Sequence, residues 1–185
     1  MMVVAMCATL HTMKTKTAPT SNGRTGVAPK KRHTLHWTPD ERKRTTAELN
    51  MLLANYEVHY QKLRNYHWNV KGGDFFDLHV ELEAQYQEAQ LNIDAIAERV
   101  RVFRERPLST YAEFLEHSSI SEDPTVPEAK KMVQNILADY VVLLNVSCQV
   151  VDLAVELHDM GTETMVKGFI KQIEQHHWML SAFND

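Results

Sequence analysis

With 185 residues, 44% apolar and 24% charged, the chain has enough apolar side chain for one well-filled core. Only six glycines and six prolines favour long helices over a sandwich or barrel, and two cysteines, Cys7 and Cys148, do not make a disulfide framework. The net charge of −4 conceals a division: residues 1–39 carry Lys14, Lys16, Arg24, Lys30, Lys31 and Arg32 with no acid, so this end is +6 and the remainder −10. Residues 1–37, rich in Thr, Ser, Gly, Pro and Lys without apolar period, read as a flexible basic arm, and 38–185 as one domain. The opening MMVVAMCATLHTM has neither a positive n-region nor a cleavage-site pattern, and no run of about 18 uncharged apolar residues marks a membrane span. Sparse cysteine and the lack of a signal pattern lead to an expected cytoplasmic location, with nucleoid association if the arm binds DNA.

In chain order, Thr38, Pro39, Asp40 and Glu41 supply an N-cap, a first-turn proline and acids at the positive end of a helix. Its stripe is Leu49, Leu53, Tyr56, Tyr60 and Leu63, continued by His67 and ended by Gly72-Gly73. A second helix is expected from Asp74 to Arg104 on Leu78, Leu82, Tyr86, Ala89, Ile93, Ile96 and Val100. Pro107 stops it, and 109–119 suit a short helix in the connection. A third helix follows from Glu128 to Met160 on Ile136, Tyr140, Leu143, Val150, Ala154 and Leu157, with Gly161-Thr162 separating it from a fourth over 162–183. Val166, Ile170, Ile173, His177 and Leu180 recur at helical spacing there. The expected fold is therefore all-α: a ferritin-like four-helix bundle with a short helix between helices 2 and 3.

Five residues on the first two helices suit metal chemistry: His67, His79, Glu83, Asp94 and Glu98. His79 with Glu83, and Asp94 with Glu98, are i,i+4 pairs that each present two ligand-type groups on one face. Eleven residues at 100° return to within about 20°, so the pairs share a face yet stand roughly 16 Å apart along the axis. One copy cannot close them round one metal. An antiparallel two-fold partner would lay its Asp94 and Glu98 beside the first chain's His79 and Glu83, making two identical shared sites. Taken singly, a histidine on an apolar stripe such as His67 is more often a hydrogen-bonded core residue than a ligand, and the pairs read as solvated polar residues. Together, histidine with carboxylates suits iron, manganese or zinc, with open positions for water, O₂ or peroxide. A site inside one bundle would need a Glu-x-x-His motif on each of two helices, and only Glu174 to His177 matches. His177 lies on the apolar seam and reads as core.

NYHWNVKGGDFFDLH (65–79), the following Glu83, NIDAIAERV (92–100) and HHWMLSAF (176–183) closely resemble the Dps family, the DNA-binding proteins from starved cells, over about residues 40–183. The resemblance implies a dodecameric shell of four-helix subunits with iron centres, di-iron or mono-iron, at two-fold interfaces. His67, His79 and Glu83 would come from one subunit, Asp94 and Glu98 from its partner. Such proteins oxidise Fe(II) with hydrogen peroxide or O₂ and store Fe(III) inside, limiting oxidative damage to DNA. Trp68 matches the family's tryptophan beside the centre, as an electron donor or as interface packing. Many relatives carry acids lining the mineral cavity where this chain has Val80 and Ala84, so nucleation is the weaker expectation. Glu156, Asp159 and Glu163 lie in the stretch that forms the family's acidic three-fold pores. The six cations of the arm match the lysine-rich arms with which some relatives bind DNA. The alternative is therefore a non-specific DNA-compacting protein whose metal site is vestigial.

Overall fold

A computed structural model describes residues 35–184, with side chains to Phe183. Cys7 and the arm cations Lys14, Lys16, Arg24, Lys30, Lys31 and Arg32 lie outside the described residues. Among the described residues there are five helices and no strand: α1 (Pro39–Asn69), α2 (Phe75–Val102), α3 (Tyr111–His117), α4 (Ala129–Glu156) and α5 (Met160–Asn184). Four are long; α3 sits in the crossover between α2 and α4, giving the expected all-α, ferritin-like bundle.

The start of α1 follows the predicted chemistry. Thr38 Oγ1 accepts from the Glu41 amide at 3.2 Å, and Glu41 Oε2 accepts from the Thr38 amide at 2.7 Å, a complete capping box. That Thr38 amide holds the Glu41 carboxyl below its ordinary value. The helix ends at Asn69, and Gly72, at φ +108°, supplies the left-handed residue that reverses the chain. The short turn makes α1 and α2 an antiparallel hairpin, placing His67 near the end of one beside His79 near the start of the other. Thr110 and Glu113 form a second capping box at α3.

Two boundaries differ from expectation. α4 stops at Glu156, because His158 takes a left-handed φ of 56° and Asp159 caps the next helix, accepting from the Thr162 amide at 3.2 Å. Gly161 and Thr162 do not separate the last two helices; they lie in the first turn of α5. The glycine answers a tertiary demand: a Cβ there would stand 2.9 Å from Arg99 Nη2. Arg99 bridges α2 to this turn through Asp159 and Thr162 Oγ1.

The core follows the stripes. Leu49, Leu53, Tyr56 and Leu63 of α1, Leu78, Leu82, Ala89, Ile96 and Val100 of α2, Ile136, Tyr140, Leu143, Val150 and Ala154 of α4, and Val166, Ile173 and Leu180 of α5 are buried. Each large apolar side chain so placed contributes about 1.5–3 kcal/mol. Tyr60, Tyr86, Ile93, Leu157, Ile170 and His177 are only half-buried. α4 is long and apolar enough to cross a membrane by length and composition. It packs as a bundle helix, against α1 and α5, with Asp139 and Ser147 on its buried face.

Candidate metal centre

The α1–α2 turn brings His67 and His79 face to face, their rings stacked at 3.8 Å and 19°. Each imidazole is held by the other residue's backbone. His67 Nδ1 lies 2.7 Å from the His79 carbonyl oxygen, and His79 Nδ1 lies 2.9 Å from the His67 carbonyl oxygen. A carbonyl only accepts, so each Nδ1 carries the proton and donates it. In the neutral imidazole this tautomer presents the Nε2 lone pair, the arrangement of a metal ligand whose second nitrogen is fixed by an outer partner.

Glu83 completes a cluster with them: ligand-type atoms of His67, His79 and Glu83 all lie within 4.8 Å of one another. His67 is buried and the other two are half-buried. Phe75 stacks on His79 at 5.0 Å, and Tyr86 sets its edge to His67 at 5.3 Å. The Tyr86 hydroxyl and the Gln87 amide donate to Glu83 Oε1 at 3.3 and 3.2 Å, aiming the carboxylate. Two neutral imidazoles and one carboxylate fit a divalent transition metal such as Fe(II), and three ligands leave its remaining positions open.

Asp94 and Glu98 are not brought into this cluster. Both are exposed further along α2, without hydrogen bond or ion pair among the described residues. Trp68 is 56% exposed, with the Arg64 guanidinium 4.6 Å over its ring. Val80 and Ala84 are exposed on the same helix as the ligands, so no carboxylate stands at those positions. Of the suggested pore acids, Asp159 is fully buried and committed to Arg99. Glu156 accepts twice from Arg44 Nη2, at 2.9 and 3.1 Å, and Glu163 accepts from Lys167 at 2.6 Å. Each therefore has a structural partner that offsets its charge.

His177 is half-buried beside Ser181, 3.4 Å from Nδ1 to Oγ, and Glu174 is exposed. No metal-type group forms around them among the described residues. The polar interior uses other residues, which the sequence did not disclose. On α1 and α4, Asp139 accepts from Lys62 Nζ at 2.7 Å and lies 3.1 Å from His59 Nδ1, all three buried. Between α2 and α5, His176 stands between Glu81, 3.6 Å from Nδ1, and Glu88, 3.0 Å from Nε2.

The Glu81 carboxylate, aided by Glu88, raises His176 above its ordinary value, and His176 in turn lowers Glu81. An imidazolium favoured by folding stabilises fully below its unfolded value of 6.5, and that contribution is lost as pH rises through the raised value. Glu81 acts oppositely, losing its contribution as pH falls through its lowered value. His176→Gln should therefore cost about 1 kcal/mol near pH 6, discounted for partial exposure, and almost nothing near pH 9. Denaturant unfolding at the two pH values checks this; equal losses would contradict the charged bridge.

Known proteins share this sequence pattern and fold. The ferritin-like domain family model matches residues 46–185. DNA protection during starvation protein 2 of Bacillus anthracis is 38% identical over 141 residues, covering 76% of this chain and 97% of its own. General stress protein 20U of Bacillus subtilis is 40% identical over 135 residues, covering 73% and 93%. Among solved structures, the Dps protein of Vibrio cholerae, described as a member of a superfamily of ferritin-like diiron-carboxylate proteins, superposes with a TM-score of 0.80 at 31% identity over 83% of this chain and 97% of its own. The Dps protein of Bacillus brevis gives 0.78 at 37% identity, over 80% and 100%. With this coverage by both sequence and fold, the chain belongs to the Dps family of ferritin-like proteins.

Proposed function

We propose that this protein is a Dps-type ferroxidase: it oxidises Fe(II) with hydrogen peroxide or O₂ and sequesters Fe(III) inside a dodecameric shell, protecting DNA. The observation that carries this reading is the reciprocal pairing of His67 and His79, which leaves two Nε2 lone pairs beside the Glu83 carboxylate. Side chains so fixed cost little ordering when a metal binds. Asp94 and Glu98 of a two-fold partner would complete the centre. Their exposed, unpaired carboxylates, with exposed Leu91 on the same helix, support a surface that another copy covers.

Fe(II) is the substrate. Two Fe(II) ions each give one electron to hydrogen peroxide, the O–O bond breaks, and two hydroxides and two Fe(III) result. The chain supplies neutral imidazoles for Fe(II), carboxylates that favour Fe(III), and positions open to the oxidant. With Val80 and Ala84 where acids would seed mineral, oxidation outpaces core growth. Trp68, exposed beside His67, suits either electron donation or burial against the partner. A cytoplasmic location belongs to the same proposal.

The test is anaerobic titration of the purified assembly with Fe(II), followed by a peroxide pulse and optical detection of Fe(III). Saturable Fe(II) binding at about one centre per chain, and prompt Fe(III) formation, are expected. An intact shell by sizing that binds no Fe(II) would sink the ferroxidase reading. A second reading, DNA compaction with a vestigial metal site, is favoured by the +6 charge of residues 1–39. Deleting residues 1–34 should weaken DNA retardation strongly and leave Fe(II) oxidation unchanged.

A further inference from the structure

The antiparallel hairpin places the start of α1 and the end of α2 at one end of the bundle. Between them lies a cleft of about 110 Å³ lined by His36, Trp37, Arg42, Phe103 and Arg104 among others. Trp37 and Phe103 pack against each other at 4.4 Å and form its apolar wall. Of the arginines near this end, Arg101 donates to the Glu105 carbonyl oxygen at 2.6 Å. Arg44, Arg99 and Arg106 are each neutralised, by Glu156, Asp159 and Glu113. Among the described residues Arg104 and His36 have no acidic partner, and Arg42 Nε is buried without a hydrogen bond, 4.0 Å from Glu105 Oε1.

Arg104 itself is held at φ 66°, just past the end of α2, where glycine is the usual residue. A bulky cation kept in a left-handed conformation is strained, and such strain is a reason to look for a function of that side chain. Immediately upstream, Lys30, Lys31 and Arg32 precede the cleft in sequence, and no acid occurs before Asp40. Two arginines and a histidine lining a small cleft suit a tetrahedral oxyanion, since guanidinium forks match phosphate.

We propose that this cleft binds a phosphate of the DNA backbone, so that the folded domain, and not only the basic segment before it, grips nucleic acid. The inference rests on the DNA-binding part of the function proposed above. It is tested on the full-length assembly, confirmed by sizing, by anisotropy with a random-sequence duplex of about 40 base pairs over roughly 50–300 mM salt.

Arg104→Gly should weaken binding about tenfold and flatten the log–log salt dependence by about 0.9 for each subunit engaged. Its Tm should be no lower than wild type, because glycine suits the left-handed backbone. Arg104→Lys, which keeps the charge, should retain most of the affinity. Weaker binding without loss of stability is an outcome that a purely structural arginine would not give. If the wild type binds DNA and Arg42→Gln/Arg104→Gly binds equally well, the cleft proposal is overturned while the basic arm stands. Should the wild type not bind DNA, the DNA reading fails, and calorimetric titration with inorganic phosphate decides the cleft. Saturable binding lost in the double variant upholds it as a phosphate site, and no binding overturns it.

Discussion

Shells assembled from co-expressed His67→Ala and Asp94→Ala protomers in equal amounts should oxidise Fe(II) at about a quarter of the wild-type rate, although each variant alone is inactive. The reasoning follows from where the ligands stand. His67, His79 and Glu83 cluster within one chain, while Asp94 and Glu98 are exposed on the same helix and unpaired among the described residues. In the proposed two-fold dimer every site would take His67, His79 and Glu83 from one chain and Asp94 and Glu98 from the other. A mixed dimer then contains one doubly damaged site and one intact site. Random pairing makes about half the dimers mixed, so about one site in four is whole. Alone, each variant lacks a ligand at every site and should lose about 100-fold or more. Initial rates of Fe(III) absorbance after addition of peroxide measure the effect, with tagged protomers to confirm mixing. A mixture as inactive as its components would mean that the acids do not complete a partner's centre.

Much of this was legible in the residues, and the failures share a cause. The start of α1 could be read from Thr38, Pro39 and Glu41 because capping is local chemistry, and the capping box forms as its spacing requires. The long helices and most of their buried faces followed from apolar period. His79 and Glu83 could be paired because i,i+4 neighbours share a helix face. The end of α4 could not be read, since it depends on His158 turning left-handed and on Asp159 capping α5. Gly161 looked like a helix break but is helical, and its missing Cβ makes room for Arg99, 62 positions earlier. The two crossed imidazole–carbonyl bonds were equally hidden, because they depend on how the α1–α2 turn folds. Asp159 was placed among candidate pore acids on position alone; Arg99 and Thr162 take it into the interior.

The buried charges between α1 and α4 give the largest expected stability effect. Asp139→Ala should destabilise the fold by about 3–5 kcal/mol, because Lys62 and His59 would lose their shared carboxylate in a site with almost no solvent. The Lys62 ammonium sits 2.7 Å from Asp139 Oδ1, whereas Asp123, the other acid that feels its charge, is hydrogen-bonded to Tyr66 and Thr125, so removal of Asp139 leaves a buried cation without a direct partner. The cost lies in the orphaned cation more than in a lost attraction. Lys62→Met/Asp139→Leu should therefore lose less than Asp139→Ala, since removing both charges also removes the desolvation penalty. Equilibrium denaturation of the assembled protein at fixed protomer concentration makes the comparison. A single variant within about 1 kcal/mol of wild type would show that water reaches the cluster and screens it. The consequence reaches the metal centre through α1: His59 and Lys62 lie about two turns and about one turn before His67 on the same helix, so the pair that ties α1 to α4 also fixes the helix that presents the first ligand. Asp139→Ala should accordingly weaken Fe(II) binding, and the double variant, with α1 held by apolar packing, should recover it.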